Sequence, residues 1–584
     1  MPSRRLAASG VLLALSTGAA GFGGLAERAT ADGDAAVQSA DAPAVCPHQL
    51  VGSSSGRAAG GVRLHVTNEH MTNLELLYYD GQAEKRYWVI DAFGGFDVGT
   101  RHNDRWRLRR KNGDLVAEIL VGSDAEQAVA VPPCVAAAQL PEVLAARKHD
   151  YLGPVTSAEL EECSPWQHLS SSEPSPGLHV VCVLPAPEGA AATYAALLAV
   201  YADGWTGGAK QATRPPPSHS FLLPRDVAAE SVEVIARFVM TRLGSARRGP
   251  QHQAPAVYTP SAARLGDAVE LLAAPCAFVF EGGLWLWPAV EVGHKLELQV
   301  DDGEGRRNVS LETVSLFPRV LMASDVITEE EAALIMARAG GHMHKSGVSL
   351  KAADAGKKSE DYRTSSQWSF PLWDEQILAL DRRVQQITRI PMTHAEQIQV
   401  LRYFACRGST TRRTPHPTPH PTPHPDQVLR YMPWEHYTAH HDFFDPGEYA
   451  GRDRESGYAR NRLATVFFYL NEVEEGGETG FPRANRLGQP RDFLDCSKGL
   501  AVKPKRLAVL IFYSMLPNGE FDQTSLHTGC DVKAGMKWAA NFWFWNQPQT
   551  SSLWSGTPGR LSQELTNRSR LHFEHAGIGA ISKL

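Results

Sequence analysis

Tyr431-Met-Pro-Trp-Glu-His-Tyr-Thr-Ala-His440-His441-Asp442-Phe443-Phe444 decides how the C-terminal part of this chain is read. His440 and Asp442 stand two residues apart. On a strand, side chains two apart project to one face, so an imidazole and a carboxylate converge there. A metal needs a third ligand, and His527 in Ser525-Leu-His-Thr-Gly-Cys530 supplies it. Two histidines and one carboxylate leave positions open for a cosubstrate and O2, which suits non-haem Fe(II). Further along stands Lys537, before the aromatic run Trp538 to Trp545, as a cation for a cosubstrate carboxylate. His441 lies between the ligands and faces away. His436, an even step before His440, is left outside the ligand set.

Working outward, the flanking parts recur in a fixed order. Gln427-Val-Leu-Arg-Tyr431 precedes the pair, and Arg462-Leu-Ala-Thr-Val-Phe-Phe-Tyr-Leu470 reads as a buried strand. Glu474-Glu-Gly-Gly-Glu-Thr479-Gly-Phe-Pro482 follows, then Gly499-Leu-Ala-Val-Lys-Pro504, the apolar run Leu507 to Tyr513, and the His527 and Lys537 pair. This succession closely resembles the catalytic domain of prolyl 4-hydroxylases, a branch of the Fe(II)/2-oxoglutarate dioxygenases, over residues 315–548.

The resemblance implies a double-stranded β-helix, a jelly roll with flanking helices. It implies Fe(II) on His440, Asp442 and His527, with 2-oxoglutarate and O2 as cosubstrates and ascorbate as reductant. Lys537 would pair with the distal carboxylate of 2-oxoglutarate, helped by Tyr431 and Thr479. Arg462, Trp543 and Glu396 match positions that contact substrate, Arg363-Thr-Ser-Ser366 matches too, and Cys496 and Cys530 match a disulfide. Trp434-Glu435 replaces the family's usual Gly-Gln, a departure that bears on substrate preference. The expected reaction hydroxylates peptidyl proline in Pro-rich secretory proteins, releasing succinate and CO2. A dioxygenase acting on another residue, such as lysine, and an inactive peptide-binding scaffold are the alternatives.

The chain has 584 residues, enough for several domains, and a net charge of −6 without a basic block, so nucleic acid is not the implied partner. Arg4 and Arg5 precede an uncharged run from Leu6 to Ala26, and Ala29-Thr-Ala31 is a small-residue cleavage site. Residues 1–31 read as a signal peptide, or as a signal anchor that would tie the protein to a membrane. Eight cysteines without a Cys-x-x-Cys motif suit an oxidising lumen, with Cys46 and Cys134 as a further pair. The sequons at Asn308 and Asn567 fit the same route. The expected compartment is the endoplasmic reticulum lumen or the Golgi.

The expected architecture is multidomain α+β. Residues 32–60 read as a linker. Residues 61–134 alternate as short strands parted by Asp80-Gly81, Gly94-Gly95 and Asn112-Gly113 turns, a small antiparallel β-sandwich. Its layout resembles the β-domain of the von Hippel–Lindau family, whose members can read hydroxyproline. Trp106 and Tyr87 fall near pocket positions, but Leu76 stands where that pocket has an aromatic. No binding residues are assigned, and the sandwich is read as a surface for a protein partner or for the catalytic domain. Residues 135–250 read as a small α/β domain, with a strand at Gly177 to Leu184, a helix from Ala191 to Ala202 and a second helix marked by Val232, Ile235, Ala236, Val239 and Leu243. Residues 251–314 connect it to the catalytic domain, and 549–584 form a tail.

One segment breaks the pattern. Thr414-Pro-His-Pro-Thr-Pro-His-Pro-Thr-Pro-His-Pro425 is low-complexity and favours polyproline II geometry. It lies within 404–431, between two verbatim copies of Gln-Val-Leu-Arg-Tyr, at Gln399 to Tyr403 and Gln427 to Tyr431. The second copy has the spacing to His440 that the resemblance requires. The first has the required upstream context, including Glu396. Joining Tyr403 to Met432 restores both, as for a retained in-frame intron. The alternative is a genuine duplication in which the second copy occupies the strand and the first is displaced.

Overall fold

A computed structural model describes residues within 46–548, apart from 55–60, most of 136–172, 205–215, 246–252, 371–373, 405–434, 446–459 and scattered single or paired positions. The signal-or-anchor segment, the Pro-His-Pro-Thr tract with Tyr431, and the tail lie outside the described residues. Among those residues, no helix is long and apolar enough to cross a membrane.

The first body is a sandwich of a five-stranded and a four-stranded sheet. Val62–Asn68 alternates buried and less buried residues, as a strand with one face on a core must. Leu64, Val66, Leu76, Trp106, Leu108 and Ile119 fill the interior. The pairing is not wholly antiparallel, because His48–Val51 runs parallel to Leu115–Leu120, and Val62–Asn68 parallel to Glu126–Val131. His48–Val51 falls in the stretch expected to be linker. Besides that pairing, the Cys46–Cys134 disulfide ties the segment to the sandwich, a long-range constraint that local composition does not express.

The second body corrects the α/β reading. Its five strands run His219–Pro224, Tyr194–Tyr201, Leu178–Pro185, Cys276–Phe280, Ala256–Tyr258, and every pairing is antiparallel. Tyr194–Tyr201 is a strand where a helix was expected. A short, uniformly apolar run has no period to separate the two, and burial on both faces of a central strand suits it. Val232–Arg242 is a helix as expected, capped by the Ser231 side chain. It covers one face of the sheet, and the other face shares its core with the catalytic body through Trp285 and Trp287.

The catalytic sheet has nine strands and begins at Lys295 rather than 315, because the Lys295–Asp301 and Arg306–Ser315 hairpin joins its edge. The order continues through Val320–Ser324, Val509–Tyr513, Arg462–Tyr469, Met536–Trp545, Gln399–Phe404, Ser366–Ser369 and His344–Lys345. Helices Glu329–Gly340, opened by a Thr328/Glu331 capping box, and Leu378–Thr388 pack on its outer face. A four-stranded sheet of Tyr437–His440, His527–Gly529, Thr479–Phe481 and Leu500–Val502 completes a jelly-roll-like body. A second apolar cluster, including Tyr403, Phe467, Tyr469, Phe481 and Phe512, lies inside it.

Candidate active site

His440 and His527 are cross-strand partners. The Tyr437–His440 strand ends at His440, so Asp442 is not brought alongside by strand alternation, as expected from the spacing. The chain bends, and the carboxylate returns to the two rings. Candidate ligand atoms of His440, Asp442 and His527 lie within 4.8 Å of one another. Asp442 Oδ1 is 3.8 Å from His440 Nε2, and Oδ2 is 3.6 Å from His527 Nε2.

Each histidine is oriented by a carbonyl. His440 Nδ1 meets Thr438 O at 2.8 Å, and His527 Nδ1 meets Ser525 O at 2.9 Å. A carbonyl can only accept, so Nδ1 carries the hydrogen and Nε2 keeps its lone pair toward the cluster. Burial, then the neighbouring His527, pushes the His440 pKa well below the usual range, which keeps the ring neutral. His440 also stacks on Tyr437 with ring centres 3.5 Å apart, and the Arg363 guanidinium lies 4.6 Å over the other ring. His441 turns away toward Gln523 O, and His436 lies 3.5 Å from Asp531.

Lys537 is 2% exposed. Its Nζ donates to Gly477 O at 2.6 Å and sits 5.1 Å from the Phe467 ring centre and 5.5 Å from those of Tyr403 and Tyr469. Burial pulls its pKa down to about 7, against the smaller opposing effect of the Glu478 charge. Among the described residues it has no carboxylate paired with it. Thr479 is close by, sharing a 2.7 Å hydrogen bond with Tyr469 OH.

The position beside Lys537 given to Tyr431 belongs to Tyr403. Tyr431 itself lies outside the described residues. The first copy forms the Gln399–Phe404 strand, pairing along Met536–Trp545 with Tyr403 opposite Lys537. Its upstream neighbours hold it there, through an Ala395 to Phe544 bridge and the Glu396 N–H on Trp543 O at 2.9 Å.

Glu396, Arg462 and Trp543 form one cluster. Arg462 grips Glu396 with two bonds, of 2.6 and 2.9 Å, and Trp545 Nε1 donates to the same carboxylate at 2.6 Å. The guanidinium lies 3.9 Å over the Trp543 ring. A register shift between Arg462 and Ala464 departs from regular strand geometry where Arg462 sits. Residues the sequence reading passed over are Tyr403, whose place was given to the second copy, and Tyr437 and Thr465, while Arg363 was noted only as a family match, without its place over the Tyr437 ring. Only Thr465 left a local signal, a hydroxyl in an apolar strand.

The 2OG-Fe(II) oxygenase superfamily model matches residues 426–545. The chain is 32% identical over 247 residues to "Probable prolyl 4-hydroxylase 9" of Arabidopsis thaliana, covering 41% of this chain and 74% of that protein. It is 33% identical over 250 residues to "Probable prolyl 4-hydroxylase 10" of the same plant, covering 42% and 73%. A solved collagen prolyl hydroxylase of Paramecium Bursaria Chlorella virus-1, in its 2OG complex, aligns at 20% identity over 39% of this chain and 95% of its own, with a TM-score of 0.25.

Proposed function

The chain belongs to the prolyl 4-hydroxylases, and from that premise we propose how its own residues carry out Fe(II)- and 2-oxoglutarate-dependent hydroxylation of peptidyl proline. The donor set fits the metal. Two imidazoles, each with Nδ1 on a backbone carbonyl and Nε2 toward the cluster, and one carboxylate would hold Fe(II) and leave positions open. Lys537 fits the cosubstrate, as a buried cation that no carboxylate pairs with among the described residues. When bound, Fe(II) with 2-oxoglutarate and O2 supplies the oxidising chemistry, one oxygen entering the substrate C–H bond and the other leaving in succinate, with CO2 released. Ascorbate is the reductant in this reading.

The protein's part is binding, orientation and exclusion of water. Lys537, in its protonated form, would hold the distal carboxylate, with Tyr403 and Thr479 beside it. The aromatic walls of Phe467 and Tyr469 keep water from the ion pair, which strengthens it. Arg462, held by Glu396 and stacked on Trp543, would receive a peptide lying across the mouth. Pairing with Glu396 offsets its charge, which suits an uncharged, extended Pro-rich chain. The site would hold that chain with one proline C–H bond turned toward His440, Asp442 and His527.

Three disulfides, Cys46–Cys134, Cys163–Cys182 and Cys496–Cys530, support a secretory compartment, the endoplasmic reticulum lumen or Golgi. An exposed Asn308 sequon agrees. The substrates would then be secretory Pro-rich proteins, and the N-terminal sandwich would serve a protein partner.

The convergence of His440, Asp442 and His527, in a fold that also buries Lys537 without a paired carboxylate among the described residues, carries the reading. Its test is succinate release with and without a Pro-rich peptide, together with hydroxyproline in the recovered peptide. Peptide-dependent succinate and hydroxyproline are expected, and His440→Ala or His527→Ala should abolish both. Hydroxylysine in place of hydroxyproline would move the substrate, and no turnover in the wild type would leave only a scaffold.

A further inference from the structure

We propose that Thr465 is the positioning residue of the metal centre, its hydroxyl setting the rotation of the Asp442 carboxylate. The inference rests on the reading of His440, Asp442 and His527 as ligands. Between Leu463 and Phe468, Thr465 is the only polar side chain. It is 1% exposed, on a central strand with Phe512 on one neighbouring strand and Trp543 on the other as register partners. A hydroxyl in such surroundings is costly unless it is hydrogen-bonded. Its bond goes to Asp442 Oδ2 at 2.6 Å. An ionised carboxylate has no hydrogen to give, so Thr465 donates.

Asp442 needs such a partner. It lies past the end of its strand, on a bend without a sheet ladder. The terminal torsion of an aspartate is broad and roughly two-fold, so packing alone sets it weakly. Two groups, one on the Arg462–Tyr469 strand and one just before it, replace the ladder. Asn461 holds the backbone, accepting from Phe444 N at 2.9 Å and donating to Phe444 O at 2.7 Å. Four residues on, Thr465 holds the side chain. Phe467 and Tyr469, at even steps beyond Thr465 on that strand, approach Lys537. The Arg462–Tyr469 strand thus lines both the metal ligand and the cosubstrate cation from one face.

The test titrates Co(II) into the purified full-length apoprotein, without 2-oxoglutarate, for the wild type, Thr465→Val, Thr465→Ser and His527→Ala. Thr465→Val keeps the shape and removes the hydrogen bond. Weakening by about tenfold or more is expected for such an outer partner of a ligand, with Thr465→Ser close to the wild type. With Fe(II) and peptide, Thr465→Val should also release more succinate per hydroxyproline formed. Wild-type Co(II) affinity in Thr465→Val, while His527→Ala loses the ion, overturns the role of Thr465 and leaves the metal centre standing. If the wild type takes up no Co(II), or His527→Ala binds it equally well, the metal-centre reading falls and this inference with it.

Discussion

Tyr403 and Lys537 face each other across antiparallel strands, with Nζ 5.5 Å from the centre of the phenol ring. Tyr431 ends an identical pentapeptide and is closer in sequence to His440. Tyr403→Phe should therefore raise the KM for 2-oxoglutarate, by about tenfold for one lost hydrogen bond to a charged group. Tyr431→Phe should leave it unchanged. Steady-state kinetics at saturating peptide reads both, and the reverse result would put the second copy in the strand.

Deleting residues 404–431 should preserve catalysis. The joined chain still reads Gln399-Val-Leu-Arg-Tyr403 and then Met432-Pro-Trp-Glu435. Prolines such as those of the tract remove ladder donors, so a barrel strand has no use for them. The deletion variant is expected to match the full chain in kcat, and sequencing transcripts across Val400 to Trp434 shows which form the cell makes. A dead deletion variant would make the segment part of the working enzyme.

Lys537 imposes a pH dependence with a definite sign. Burial holds its pKa at about 7 in the ligand-free protein, and only the ammonium pairs with a carboxylate. Above pH 7, binding must first take up a proton. The KM for 2-oxoglutarate should then climb with pH, by up to about tenfold per unit. Lys537→Ala should remove that slope and weaken 2-oxoglutarate on the order of 30-fold or more at pH 7, with little change in peptide KM. A flat wild-type profile between pH 7 and 9 would count against the assignment.

Asp381 is a buried carboxyl on the Leu378–Thr388 helix, and its Oδ1 has no hydrogen-bond partner. Burial, then Asp374, raises its pKa from 3.8 to about 8. Between those values the folded state holds a proton that the unfolded state has lost, so stability falls as pH rises through the window. Asp381→Asn should flatten that fall and stabilise the protein at pH 8, by about 1–3 kcal/mol. Urea denaturation at pH 5 and pH 8 measures it, and equal losses in variant and wild type would remove Asp381 as the cause.

Cys496–Cys530 braces the strand that carries His527, since Cys530 follows His527-Thr-Gly529. Gly480 backs against it, where an added Cβ would lie 3.3 Å from both sulfurs. Removing the bridge by a Cys496→Ser, Cys530→Ser pair should cost about 2–4 kcal/mol. Peptide mapping without reduction should recover this pair, Cys46–Cys134 and Cys163–Cys182. Free thiols at any of the six would contradict the pairing.

By itself the sequence determined the family and singled out the residues on which the proposed chemistry rests. His440, Asp442, His527 and Lys537 were legible because metal and cosubstrate require particular donor atoms, and few residue types at few spacings meet that demand. Helix Val232–Arg242 and the sandwich strand Val62–Asn68 were legible from period, because each buries one face only. Tertiary structure alone decided which copy of Gln-Val-Leu-Arg-Tyr enters the sheet. Identical pentapeptides have identical propensities, so the choice falls to neighbours. Ala395 and Glu396 tie the first copy to the Met536–Trp545 strand. The same holds for Tyr194–Tyr201, whose apolar run becomes a strand because two other strands flank it. Asp442, too, reaches the histidines through a bend clamped by Asn461 and Thr465 rather than by strand alternation. In each case the deciding contact joins residues distant in sequence, and local pattern carries no record of the pairing.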